Sequence, residues 1–144
     1  MQQTVGDILG TKPVRLVSID AGESVLEAAR RMMEENVAAM LVTVDGRITG
    51  IVTERDYLRR VVLEERGDRD TAVGEIMTSP LIVVSPGTTV DECMSLMTEQ
   101  RIRHLPVADA GEVIAMISIG DVVKFASTQQ TVQIQYLTDY INAR

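Results

Sequence analysis

The chain holds one cysteine, one histidine and no tryptophan, and aromatic residues make up only 3% of it. With Cys93 alone, no intrachain disulfide can form. One histidine and one cysteine also fall short of any zinc-ligand cluster, so no metal site is expected. The same poverty weighs against catalysis. No Ser-His-Asp set and no recognisable acid–base pair occurs at any spacing, and a single His104 leaves little for proton shuttling. The chain is therefore read as a non-enzyme with no catalytic residues; the enzyme alternative is a hydrolase using Arg55 or His104. No apolar run approaches the roughly 20 residues that a membrane span requires. The opening "MQQTVGDILG" lacks the basic start and long apolar core of a secretory leader, and a cytoplasmic protein is expected. The formal net charge of −7 repels phosphate backbones at long range and argues against nucleic acid as a partner.

What is present is aliphatic. Apolar residues make up 45% of the 144 positions, so a core of Val, Ile, Leu, Met and Ala is expected. That material is written twice. Gly22, Val25, Met32, Glu34, Val42, Gly46 and Asp56 recur 65 positions later as Gly87, Val90, Met97, Glu99, Val107, Gly111 and Asp121. Ser24 matches Thr89, Val37 matches Ile102, Val52 matches Ile117 and Thr53 matches Ser118. "TVGDI" from Thr4 reappears as "AVGEI" from Ala72, after which "LGTKPVR" in the first copy is shortened to "MTSP" in the second.

Each copy has one order of elements. A helical turn opens at Val5 or Val73, and a short extended run follows, "VRLVSI" or "LIVVS". Ser24 with Glu27, and Thr89 with Glu92, fit capping boxes at a helix start. Val25, Ala28, Ala29, Met32 and Met33 recur at helical spacing, as do Val90, Cys93, Met94 and Met97. Cys93 and the methionine stripe are read as core filler. Two strands then pair through a hairpin at Gly46 or Gly111, and a last helix opens at Asp56 or Asp121. The result is an α+β fold of two β-α-β-β-α repeats, residues 1–66 and 67–127, followed by a helical tail, 128–144. "RGDRD" reads as the polar linker. A copy of about 60 residues buries little alone. The two are expected to pack through their sheets with pseudo-twofold symmetry, leaving two equivalent clefts.

The feature that bears on function is "TERD" beside "SIGD". Thr53 and Ser118 stand at a helix N-cap with Asp56 and Asp121 three positions on, so a structural capping box accounts for either one alone. The same geometry suits a nucleotide. Outward N–H groups at a strand-to-helix turn receive phosphate, and a carboxylate one turn in accepts bonds from ribose hydroxyls. Both readings stand at this point.

The ordered set "VGDIL" and "VGEIM", "HLPV" at His104–Val107, and "GIVTERD" with "AMISIGD" resembles a tandem pair of cystathionine β-synthase (CBS) domains, the Bateman module. The resemblance runs from about Thr4 to Ser127. It implies adenosine-containing ligands (AMP, ADP, ATP, NAD or S-adenosylmethionine), no catalytic cofactor, and a homodimer. It places Thr53 and Asp56 in one cleft and Ser118 and Asp121 in the other, on phosphate and ribose. Where the family often has a second hydroxyl before the Asp, this chain has Arg55, which offers charge, and Gly120, which offers only backbone. Arg103 and His104, opposite alanines in copy one, resemble phosphate contacts for the Asp121 cleft; the alternative for His104 is a core histidine beside Leu105. The resemblance also implies that Lys12, Pro13 and Val14, with Val37 and Ala38, border the base beside Asp121. Thr78, Pro80 and Ile82, with Ile102, border it beside Asp56.

Nor is a catalytic domain part of the sequence, so the pair is expected to act in trans on an unidentified regulated protein. The competing reading is a structural or interaction dimer with vestigial nucleotide sites. In the tail, Ile134, Leu137 and Ile141 with Tyr140 make one apolar helical face, which is expected to pack either on its own chain or on a second subunit.

Overall fold

The computed structural model describes residues 2–127 and 131–142. The elements are α1 (Val5–Leu9), β1 (Ser18–Asp20), α2 (Val25–Glu35), β2 (Ala39–Val44), β3 (Arg47–Thr53), α3 (Glu54–Tyr57), α4 (Val73–Ile76), α5 (Val90–Gln100), β4 (His104–Asp109), β5 (Glu112–Ser118), α6 (Ile119–Ser127) and α7 (Thr131–Asn142). A π-helical turn, Leu58–Val62, extends α3. The chain divides into two compact units: Leu16–Leu81, and the N-terminal residues to Arg15 together with the chain from Ile82 onward.

The opening turn of each copy thus joins the other copy's body. In the copy-two unit, Val5 N–H donates to the Thr88 carbonyl at 2.8 Å and Gly6 N–H to that of Pro86 at 2.9 Å. In the copy-one unit, Val73 N–H donates to Glu23 at 2.8 Å and Gly74 N–H to Ala21 at 2.9 Å. The acceptors are 65 positions apart, so one docking is made twice. It also explains the Val-Gly pair. The valine is fully buried in each case. A Cβ on Gly6 would stand 3.3 Å from the Pro86 carbonyl, and one on Gly74 3.2 Å from the Ala21 Cβ.

In the copy-one unit, β1 runs parallel to β2, and β2 antiparallel to β3. Val25, Ala28 and Met32 of α2 pack against Met40, Val42 and Val52 of the sheet and Val73 and Ile76 of α4. Ala28 is therefore core and Met33, from the same expected stripe, is 82% exposed. In the copy-two unit, β4 and β5 pair antiparallel. The run "LIVVS" makes only a single parallel bridge there, Val84 to Val107, rather than a strand. Both hairpins carry a register shift at the same place, Val42/Thr43 and Val107/Ala108. Both turn through two residues at positive φ, Asp45-Gly46 and Ala110-Gly111, as a tight two-residue hairpin requires.

The helix starts differ from expectation in one detail. Thr89 and Glu92 form the full capping box. Ser24 only accepts from Glu27 N–H at 3.1 Å, because the Glu27 carboxylate faces Arg30 instead. Cys93 is buried beside Val90 and Met97. Leu137 of α7 is buried in the copy-two core, with Tyr140 and Ile141 packed against it. The tail thus covers a face of its own chain; the Ile134 side chain lies outside the described residues.

Candidate functional site

Each unit ends its hairpin in the same strand-to-helix turn. In the copy-one unit the extended backbone of Thr53 caps α3. Thr53 Oγ1 accepts from Asp56 N–H at 3.2 Å, while Thr53 N–H and Oγ1–H donate to Asp56 Oδ2 at 2.9 and 3.1 Å. The Glu54 N–H donates to the Ala38 carbonyl at 3.0 Å, tying the entry of β2 to the turn. Thr78 exchanges both backbone bonds with Ile51, two residues before Thr53. Thr53, Asp56, Ala38 and Thr78 are therefore held at one end of one sheet. Asp56 is buried, and Arg55 and Pro80 are exposed. Val37, half-buried, donates its N–H to the Met32 carbonyl at the end of α2.

The copy-two unit repeats this with different side chains. Ser118 N–H donates to Asp121 Oδ2 at 2.8 Å, and Ser118 Oγ accepts from Asp121 N–H at 3.1 Å. The Ile119 N–H donates to the Arg103 carbonyl at 2.8 Å, the counterpart of the Glu54–Ala38 bond. His104 stands across the ladder from Ser118. Burial, helped by the adjacent Arg103 cation, pushes the His104 imidazolium down from its ordinary range, against the opposing pull of Asp121. Gly120 is exposed and its missing Cβ would lie 3.5 Å from Ser118 Oγ.

Lys12 completes this half-site. Its Nζ donates to Asp121 Oδ2 at 2.7 Å and to the Met116 carbonyl at 3.1 Å. Burial opposes the charge on Asp121, yet the Lys12 ammonium and the Ser118 amide outweigh it and hold the carboxyl below its ordinary range. The resemblance implies Lys12 beside Asp121 at the border of the base; in the structure its ammonium pairs with the Asp121 carboxylate. The signal lay in the aligned triplets Thr11-Lys12-Pro13 and Thr78-Ser79-Pro80, where copy two's unit receives a lysine and copy one's a serine. Pro13 and Val14 follow as exposed residues of the same unit.

In both turns the hydrogen bonds converge on Oδ2, and Oδ1 takes none among the described residues. Ile82 and Ile102, named beside Asp56, belong to the copy-two unit; Val37 and Ala38, named beside Asp121, belong to the copy-one unit. Among the described residues there is no cluster of three metal-ligating side chains, and no helix is long and apolar enough to cross a membrane. A separate apolar pocket of about 180 Å³ opens on the helical side of the copy-one unit, lined by Ala28, Ala29, Met33, Tyr57 and Leu58 among others.

The CBS domain family matches residues 5–63 and 73–128, and the chain belongs to it. The chain is similar to the CBS domain-containing protein CBSX3, mitochondrial, of Arabidopsis thaliana, at 42% identity over 124 residues. That match covers 83% of this chain but 60% of the relative, so the chain spans about three-fifths of that protein's length. Among solved structures, a protein with CBS domains from Burkholderia ambifaria is 46% identical with a TM-score of 0.85, over 90% of this chain and 97% of that one. A hexameric CBS-CP12 protein from bloom-forming cyanobacteria is 26% identical with a TM-score of 0.77, over 99% of this chain and 78% of that one. Two adjacent CBS matches make the chain a tandem CBS pair, a regulatory module of a family that commonly binds adenosine ligands.

Proposed function

We propose that this CBS pair is a non-catalytic sensor that binds an adenosine-containing ligand, AMP, ADP, ATP, NAD or S-adenosylmethionine, and regulates another protein in trans. The observation that carries this is the duplicated turn. In both units an Asp is oriented by two or more hydrogen bonds to Oδ2 and keeps Oδ1 for an incoming hydroxyl. A ribose presents two adjacent hydroxyls, and a fixed carboxylate is its usual acceptor. Thr53 and Arg55 in one unit, and Ser118 and Arg103 in the other, supply hydroxyl and positive groups toward phosphate, with the neutral His104 imidazole as a donor beside them. Gly120 lets backbone approach. Exposed Val14 and Ile82, with Pro13, Val37, Ala38, Thr78, Pro80 and Ile102, supply walls for the base.

The protein works as a homodimer in this proposal. Met33, Leu58 and Leu63 are 82%, 56% and 76% exposed on the helical side of the copy-one unit. The residue that matches Leu58 in copy two, Val123, is packed with the core that α7 covers. The similar cyanobacterial protein is itself an assembly. Native mass spectrometry of the purified protein tests both statements. A dimer carrying an adenine nucleotide is expected. A ligand-free dimer that takes up none of the five ligands favours the second reading, an interaction dimer whose Thr53–Asp56 and Ser118–Asp121 pairs serve only as helix caps.

A further inference from the structure

The two turns differ most in what faces the carboxylate. Asp121 carries the Lys12 ammonium on the same Oδ2 that Ser118 N–H binds. Among the described residues, Asp56 Oδ2 takes the amide and hydroxyl of Thr53, and Ser79 stands at the position matching Lys12, bonded to the Thr49 carbonyl at 3.3 Å. Lys12 and Asp121 are each only 27% exposed, so this ion pair is partly withdrawn from water. A ribose hydroxyl that donates to the open Oδ1 shares the carboxylate with the ammonium on Oδ2 and draws on the charge that balances it. Neutral hydroxyls bring no charge of their own, so a partly buried ammonium that must share its counterion gains nothing in return. A ligand phosphate supplies the missing negative charge, and the flexible lysine stem lets the ammonium follow it.

We propose that Lys12 is the specificity-determining residue of the copy-two site: it makes that site select ribose ligands that bring a phosphate and reject the bare nucleoside. This rests on the adenosine-ligand reading above and adds the charge that the ligand must carry. Arg103 and His104 lie at the same strand end, and His104 is held toward its neutral form. Lys12 couples the ribose acceptor to the charge of the ligand through its bond to Asp121.

The experiment is a calorimetric titration of AMP and of adenosine into the full chain, with Asp56→Ala as background so that the copy-two site is read. Lys12→Met, close in length but uncharged, is expected to lower the ratio of AMP to adenosine affinity by about tenfold. AMP weakens while adenosine holds or tightens. Lys12→Gln, a second uncharged side chain, is expected to do the same, and Lys12→Arg to restore most of the ratio. Urea unfolding of each variant confirms that the fold is kept. An unchanged ratio in folded Lys12→Met and Lys12→Gln overturns the role of Lys12 while leaving nucleotide binding intact. Failure of the parent to bind adenosine, AMP, ADP, ATP, NAD and S-adenosylmethionine alike overturns the ligand reading, and the selectivity with it.

Discussion

His104 faces Ser118 directly across the β4–β5 ladder, where the first copy sets Ala39 against Thr53. One imidazole thus enters the turn of one repeat and has no counterpart in the other. Its burial sets a pH dependence. The folded-state pKa lies below the ordinary 6.5, so from about pH 6.5 downward the unfolded chain takes up a proton that the folded chain does not. Stability is complete above that range and falls as pH drops through it. Urea midpoints at pH 7.5 and 5.5 are expected to differ more for the parent than for His104→Gln. The depressed carboxyl of Asp121 works in a lower window: its contribution is present above the usual Asp range and is lost only as pH falls through its folded value. Equal midpoint shifts in parent and His104→Gln contradict the assignment.

Gly50 sits where β3 meets the Met77–Thr78 segment. A Cβ there would lie 2.8 Å from Met77 Sδ and 2.8 Å from the Thr78 carbonyl. Methionine yields but the carbonyl is fixed by its bond from Ile51 N–H. Gly50→Ala is expected to cost roughly 1–3 kcal/mol in urea unfolding and to speed amide exchange at Ile51 and Thr78. An alanine tolerated without loss shows that the segment moves freely off β3.

Leu137 anchors α7 in the copy-two core at 1% exposure. Leu137→Ala is expected to cost about 2–5 kcal/mol, read by denaturant unfolding. A loss below a few tenths of a kcal/mol shows that α7 is not held on its own chain.

Met33 is the opposite case, a large apolar side chain at 82% exposure on the proposed dimer face. Met33→Glu is expected to shift light-scattering mass from dimer to monomer while leaving secondary structure unchanged. A Met33→Glu dimer as tight as the parent removes this face from the interface.

Much of the fold was legible because it is written twice. Val25, Ala28 and Met32 advertise a helix face, and Asp45-Gly46 and Ala110-Gly111 advertise hairpins. Less legible was anything decided by contacts across many positions. "LIVVS" has the composition of a strand, yet its pairing is a single bridge from Val84 to Val107. Met33 has the right spacing for core but falls at the edge of the buried stripe, where Ala28 and Met32 already fill the space against the sheet. The opening turns dock on the partner repeat, which no local pattern announces. The site divides in the same way. Thr53–Asp56 and Ser118–Asp121 stood out by short spacing, whereas the ion pair of Lys12 and Asp121 joins residues 109 positions apart. Only the Lys12–Ser79 mismatch between copies pointed toward it.

The central claim is that the two aspartates receive a ligand and do more than cap helices. Calorimetric titration of AMP into the parent, Asp56→Ala, Asp121→Ala and the double variant tests it most directly. Each single change is expected to weaken one site about 10- to 100-fold, the loss of one charge-assisted bond, and the double variant to abolish measurable binding. Parent-like AMP affinity in the double variant, with only its urea midpoint lowered by a lost cap worth about 1 kcal/mol per turn, would contradict the account.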